Sequence, residues 1–212
     1  MKDTTALLTL GTVAAKPEAV TGQLVLQTGE EMVFRPLKPD DEVGLADFLQ
    51  RLSPQTRKFS TYPGYDLATA RGMCEAIDRY DKLRMVAVVG LRVVALFEFS
   101  FGIVDSDRNR YRGYGIELDE STDCRFGPCI SDEYQDKGLG SKLLAHVTDI
   151  ARRFGKRRII LWGGVLADNH RAIHYYEKNG FYMLGRFRDD LGSEFFDGMF
   201  SLPERETEAS SA

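Results

Sequence analysis

Two apolar runs flank Thr28-Gly29-Glu30 in "QLVLQTGEEMVFRPL", a pattern that predicts a hairpin or a short arm leading into a first strand over 32–37. Asp40 or Asp41 then caps a predicted helix in which Val43, Leu45, Ala46, Phe48, Leu49 and Leu52 recur at helical spacing. A second helix is predicted over 66–80, with Leu67, Ala70, Met73, Cys74 and Ile77 on one side. The period then changes. "RMVAVVG" and "RVVALFEFSFGIV" are β-branched and aromatic runs joined by a short connection, the signature of an antiparallel pair. "DSDRNRYRGYG" reads as a polar, mobile loop, and strand character returns over 116–118 and 123–131. A helix over 138–154 presents Leu139, Leu143, Leu144, Val147, Ile150 and Ala151 on one face, and "RRIILWGG" reads as a buried strand. "DNHRAIHYYEKNGF" opens on Asp168-Asn169, a capping pair, and runs as a helix to Lys178 with Gly180 as its stop. Strands over 182–187 and 194–201, separated by the turn "RDDLGS", close the pattern. The order is that of a mixed α/β fold: a central, mostly antiparallel meander, one crossover helix and helices on the flanks.

No internal repeat or Pro- and Ser-rich linker divides the interior, so residues 24–202 read as one domain between an N-terminal extension (1–23) and a flexible tail (203–212). At 212 residues, with 43% hydrophobic and 28% charged positions, the chain has material for a sizeable core. Its net charge of -4 argues against a general nucleic-acid binder. The three cysteines, Cys74, Cys124 and Cys129, fit neither a disulfide framework nor a zinc site, and His146, His170 and His174 lack metal-ligand spacing, so no metal is expected. The weak apolar run near the N-terminus is broken by Asp3, threonines and Gly11, and no segment approaches the ~20 apolar residues of a membrane span. These features predict a cytoplasmic protein.

The candidate chemistry centres on "QDKGLGSKLL", a glycine-rich turn feeding a helix, which suits an anion because first-turn N-H groups lack intrahelical partners. The spacing is not that of a nucleoside triphosphatase loop. A dinucleotide fingerprint requires a small residue where Leu143 stands, which leaves a nicotinamide or flavin ligand as an alternative.

The pattern Gln135-Asp136-Lys137-Gly138-Leu139-Gly140 resembles the acetyl-CoA loop of the GNAT acetyltransferase superfamily, and Asn169, Ala172, Tyr176, Gly180 and Phe181 match the family's second motif in the same order. The resemblance covers about 32–202 and implies the GNAT acyl-CoA N-acyltransferase fold, with acetyl-CoA as cosubstrate and an amine as acceptor, either a small molecule or a protein. It implies that backbone N-H groups of Asp136, Lys137, Gly138, Leu139, Gly140 and Ser141 wrap the pyrophosphate. A splayed strand at 128–131, including Cys129, Ile130 and Ser131, would meet the pantetheine arm, with Ile130 central. Asn169, Ala172, Ile173 and Tyr176 share one helical face, with His174 and Tyr175 pointing elsewhere. The resemblance gives the Tyr176 hydroxyl the role of acid toward the departing thiolate. For the base that deprotonates the amine, the carboxylates are Glu98 and Glu117, then Asp119, Glu120 and Asp123. Where many family members carry a glutamate, this chain has Cys124, so transfer of the proton through ordered water is a further route. Cys124 itself reads as a small core residue or as an acyl-carrying nucleophile.

Arg35-Pro36-Leu37 before the first helix and Leu52-Ser53-Pro54 with Arg57 after it are similar to the GNAT domains of bacterial protein-lysine acetyltransferases. In that fold the segment 53–65 borders the acceptor site. The basic run 152–158 reads as a helix end facing solvent, and Trp162 as a core residue or a neighbour of the acyl pocket. A GNAT-fold sensor or scaffold that binds acyl-CoA without turnover is the alternative function, and exposed strand edges leave a homodimer open.

Overall fold

The computed structural model describes residues 7–60, 62–77 and 81–203. The expected helices and hairpins form. Strands β1 (Gly22–Val25) and β2 (Glu31–Pro36) make the first hairpin, followed by helix α2 (Glu42–Arg51), with a short α1 (Leu10–Ala15) preceding both. Helices α3 (Pro54–Ser60) and α4 (Leu67–Glu75) lead to β3 (Lys82–Val89) and β4 (Arg92–Ser100). Then come α5 (Asp105–Gly113), β5 (Asp123–Ile130), α6 (Leu139–Arg153), β6 (Arg158–Leu161), β7 (Val165–Leu166), α7 (His170–Lys178), β8 (Tyr182–Arg188) and β9 (Glu194–Ser201). Among the described residues these strands form one sheet in the order β1-β2-β3-β4-β5-β6-β9-β7, with β8 on the other edge of β9. The β5 and β6 strands are parallel, joined by the α6 crossover, and the other pairs are antiparallel.

Both faces of the central strands are covered, which is why β3 and β4 read as continuous apolar runs. Met85, Ala87, Phe97 and Phe99 pack on one face with Leu143, Val147 and Ile150 of α6. Val86 and Leu96 pack on the other with Leu45, Phe48 and Leu49 of α2 and Met73 of α4. Residues 7–23 join the first face, where Val13 and Val20 are buried and Leu8 N donates to Arg153 O at 2.8 Å.

Four local readings differ from the structure. Asp41 stands at the α2 N-terminus without a capping bond, because its carboxylate is taken by Arg35 at 2.7 Å and by Lys38 N at 2.8 Å. The second helix ends at Glu75, and residues 78–80 lie outside the described residues. The segment 116–118 is not a strand: guanidinium groups take its carbonyls, with Arg108 Nη1 donating to Leu118 O and Arg158 Nη2 to Glu117 O. The polar stretch after β4 is the helix α5 rather than a loop. Asp105 and Asp107 in its first turn and Arg110 and Arg112 in its last complement the helix dipole. Tyr111 fixes it to the sheet, fully buried with its hydroxyl donating to Gly198 O at 2.7 Å.

Candidate active site

The sheet opens where β5 leaves β6. Residues Asp123 to Phe126 pair with Arg158 to Leu161, and Trp162 N makes a last bond to Phe126 O at 2.9 Å. Gly163 and Gly164 then turn the chain away into β7, while β5 continues to Ile130 paired only with β4. Pro128 has no N-H to leave unsatisfied on the exposed edge. Because Ser131 N donates to Val94 O on β4, alternation directs the N-H of Ile130 into the gap. The carbonyl of Ile130 accepts from Gln135 Nε2 at 2.7 Å.

Below the gap lies the turn into α6. Gly138 has φ 73°, and Asp136, with φ 58°, is the one described non-glycine residue in the left-handed region, a conformation aspartate tolerates better than most. The first α6 amide with an intrahelical acceptor at this end is Lys142 N, bonded to Gly138 O, so the N-H groups of Leu139, Gly140 and Ser141 point out of the helix end. Gly138 through Ser141 line a cleft of about 610 Å³ together with Ile130, Gln135, Asp136 and α7. Gln135 is a structural tie, since its amide also reaches Thr56 Oγ1 at 3.2 Å and its carbonyl oxygen accepts from Arg171. Lys137 stands outside this cleft, beside a smaller hollow next to Tyr134.

Gly140 is required by close approach rather than by backbone angle. A Cβ there would lie 2.9 Å from Tyr175 Cε2 and 3.3 Å from Ile130 Cδ1. Tyr175 therefore belongs to the cleft, with its hydroxyl donating to Gly140 O at 3.3 Å, and His174 lines the cleft as well, contrary to the expectation that both point away. Ile173 turns instead toward the core. Gly140→Val is expected to displace Tyr175 and raise the dissociation constant for acetyl-CoA at least ~10-fold by calorimetry, with a stability loss of about 1–3 kcal/mol. Unchanged affinity would show that the cleft does not hold that ligand.

On the far side of β5 lies a second cavity of about 730 Å³, bordered by Arg84, Glu98, Trp162, Phe187 and Asp189. Tyr176, Asn169, Ala172, Pro128, Cys129, Phe59 and Ser60 border both cavities, so the two meet at Tyr176. Tyr176 is 6% exposed, its ring lies 5.1 Å from Tyr175 and 5.0 Å from Phe181, and burial pushes its phenol above the ordinary value. Asn169 caps α7, its Oδ1 accepting from Ala172 N at 3.2 Å. Glu98 Oε1 accepts from Arg84 Nε at 2.7 Å.

Several sequence candidates stand elsewhere. Glu117 is at the surface, 75% exposed and paired with Arg112, and it borders neither cavity. Asp123 is buried against Arg158, Glu120 holds Arg108, and Asp119 caps a turn at Ser121. Cys124 is enclosed in the core, where burial pushes its thiol up to about 12, and it borders neither cavity. Cys129 borders both cavities with its thiol likewise pushed up to about 12 by burial. Ser131 is buried with its Oγ unpaired among the described residues.

Sequence reasoning missed α3, which roofs both cavities through Phe59 and Ser60. The signal was Ser53-Pro54, a capping residue before a proline at the first helical position. The anchor is distant: Asp132 accepts from Ser53 N at 2.9 Å, Ser53 Oγ at 2.6 Å and Thr56 Oγ1 at 2.7 Å. Burial pushes the Asp132 carboxyl up, and these bonds more than offset it, so it titrates below its ordinary value. A lowered folded pKa contributes stability that is complete above the unfolded value of ~3.9 and lost as pH falls through the folded one. Asp132→Asn is expected to cost about 1–2 kcal/mol at neutral pH. The gap in melting temperature between the two proteins should narrow as pH falls from about 5 toward 3, and a constant gap would contradict the assignment.

Residues 126–181 match the model of the acetyltransferase (GNAT) family, and they contain the splayed end of β5, the α6 turn and Tyr176. Acetyltransferase PA5475 of Pseudomonas aeruginosa is 28% identical over 134 residues, 63% of this chain and 67% of the relative. Over this segment the chain is similar to the GNAT acetyltransferases. The GNAT fold extends over the body of the chain, as likeness to solved structures shows. The GNAT domain of S. lividans PAT superposes with a TM-score of 0.66 at 22% identity, covering 88% of this chain and 99% of that one. The spermidine N-acetyltransferase of Vibrio cholerae, solved with CoA and spermine, gives 0.60 at 17% identity over 81% and 95%. Among the described residues no helix is long and apolar enough to cross a membrane, and no cluster of potential ligands could hold a metal.

Proposed function

We propose that this protein transfers the acetyl group of acetyl-CoA directly to an amine, with the cleft at α6 holding the cosubstrate and the cavity beyond β5 holding the acceptor. The observation that carries the reading is the meeting of the two cavities at Tyr176, which lets both reactants reach one point in a ternary complex. The residues present fit the cosubstrate. Three outward N-H groups at a helix N-terminus suit a pyrophosphate. The Ile130 N-H in the sheet gap suits a pantetheine amide, as in strand addition. The bound thioester supplies the activated acetyl group.

Tyr176 keeps its proton at neutral pH and donates it toward the leaving sulfur. Asn169, fixed by its own cap, presents its amide to the junction. Glu98, oriented by Arg84 in the wall of the acceptor cavity, accepts the proton of the amine directly or through water. Glu117, remote from both cavities, takes no part.

Thermal-shift measurement with CoA, acetyl-CoA and NADP, followed by thiol-release assays on an amine panel, tests the reading. Stabilisation by CoA and acetyl-CoA with thiol release on an amine is expected. Absence of stabilisation by either would overturn it. Stabilisation with no release on any amine would favour a binding module, the role of a sensor or scaffold.

A further inference from the structure

The acceptor cavity is electrically balanced and aromatic. Its charged side chains are Lys82, Arg84, Glu98 and Asp189, two of each sign, and Glu98 is already paired with Arg84. Two of its walls, Trp162 and Phe187, are backed by cations: the Arg125 guanidinium lies 4.9 Å from the Trp162 ring and that of Arg110 lies 4.0 Å from the Phe187 ring. Neither arginine borders the cavity, whereas Lys82, which does, lies 5.4 Å from the Trp162 ring, so that ring is already engaged by two cations. Phe187 also stacks on Phe195 at 5.4 Å, nearly parallel.

The two arginines belong to a buried network anchored by α5. Asp107 contacts Arg125 at 2.7 Å and Arg110 at 2.5 Å, and Asp197 contacts Arg110 at 3.0 Å. Asp107 and Asp197 are 1% and 0% exposed. Two carboxylates and two guanidinium groups balance, so the network adds no net charge beside the cavity. A ring already engaged by a cation on one face is a poorer partner for a second cation on the other, while it still offers a flat apolar surface. A polycation needs a surplus of acidic groups, which this cavity lacks.

We infer that this cavity takes the amine of a compound with a flat, apolar body in preference to a polycation, and that Arg125 and Arg110 act as positioning residues holding Trp162 and Phe187 as its walls. The inference rests on the acetyltransferase reading for turnover but not for binding.

Trp162 is the one tryptophan of the chain, so its fluorescence reports the cavity independently of catalysis. The full-length protein with CoA bound is titrated with 2-phenylethylamine, spermine or a lysine-containing peptide, and kcat/KM is measured for each with acetyl-CoA. A saturating change in emission with phenylethylamine, at a dissociation constant at least ~10-fold below those of the other two, is expected, with kcat/KM in the same order. Spermine or the peptide matching phenylethylamine in binding, or no emission change with phenylethylamine, would overturn the inference. If the emission order holds while no amine releases thiol, it is the acetyltransferase reading that fails, and the preference of the cavity stands. Arg125→Gln is expected to raise KM for phenylethylamine about 10-fold with kcat within about twofold and KM for acetyl-CoA unchanged, with Arg125→Lys partly restoring it. Equal loss on all three amines, or a fall in kcat alone, would reduce Arg125 to a structural role. Phe187→Leu, which leaves the network intact, should raise the same KM should the arginine variant fold poorly, and an unchanged KM there would remove the wall from the argument.

Discussion

Tyr176→Phe is expected to lower kcat at least ~10²-fold, about 2.7 kcal/mol of transition-state stabilisation, while the dissociation constant for acetyl-CoA stays within about twofold. The substitution removes one oxygen and little else. The Tyr176 ring is held between Tyr175 and Phe181, contacts that phenylalanine preserves. What is lost is a proton donor at the point where the two cavities meet. Burial raises the phenol above its ordinary value of ~10, so it stays protonated throughout the neutral range. The pH profile of the wild-type kcat should therefore show no alkaline fall from this group below about pH 10. Calorimetry separates binding from turnover: unchanged kcat with intact binding would remove Tyr176 from the chemistry, and loss of binding would make it a structural residue.

What could be read in the sequence was whatever repeats at short range. The α6 face from Leu139 to Ala151 and the Asn169 to Phe181 motif are patterns of spacing; the structure packs the first against the sheet and sets Asn169, Ala172 and Tyr176 of the second along the cleft. The splay of β5 was expected from the family resemblance alone, not from any local pattern in residues 128–131. Spacing says which residues share a face but not which element packs there, so Tyr175 was missed at the Gly140 contact and Ile173 misplaced. Glu117 stands just before β5 in sequence yet is carried to the surface by the turn after α5. Helix α3 depends on Asp132, 79 residues from Ser53, a capping bond invisible to any local window. Helix α5 is the hardest case. Apolar periodicity finds helices that bury hydrocarbon, and α5 buries Asp107 and Tyr111, with Arg110 half-buried beside them.

That composition makes Asp107→Ala the substitution with the largest expected cost in stability, about 3–5 kcal/mol in denaturant unfolding. Asp107 is 1% exposed and serves two guanidinium groups at once. Burial already pulls Arg125 below its ordinary value, opposed chiefly by Asp107, so removing the carboxylate leaves an uncompensated charge beneath Trp162. If the loss comes from that orphaned charge rather than from missing volume, removing the charge as well should recover part of it. Asp107→Ala with Arg125→Met is therefore expected to be more stable than Asp107→Ala alone, a coupling a double-mutant cycle reads directly. The exposed pair Arg112 and Glu117 on the same segment is the control, and Glu117→Ala should cost under about 1 kcal/mol. Were Asp107→Ala as mild as the control, the network would be a surface feature in energetic terms. A helix with so little hydrocarbon to bury would then have to be held by Tyr111, through its buried ring and its bond to Gly198 O, and by the bonds of Arg108 to Leu118 O and Glu120.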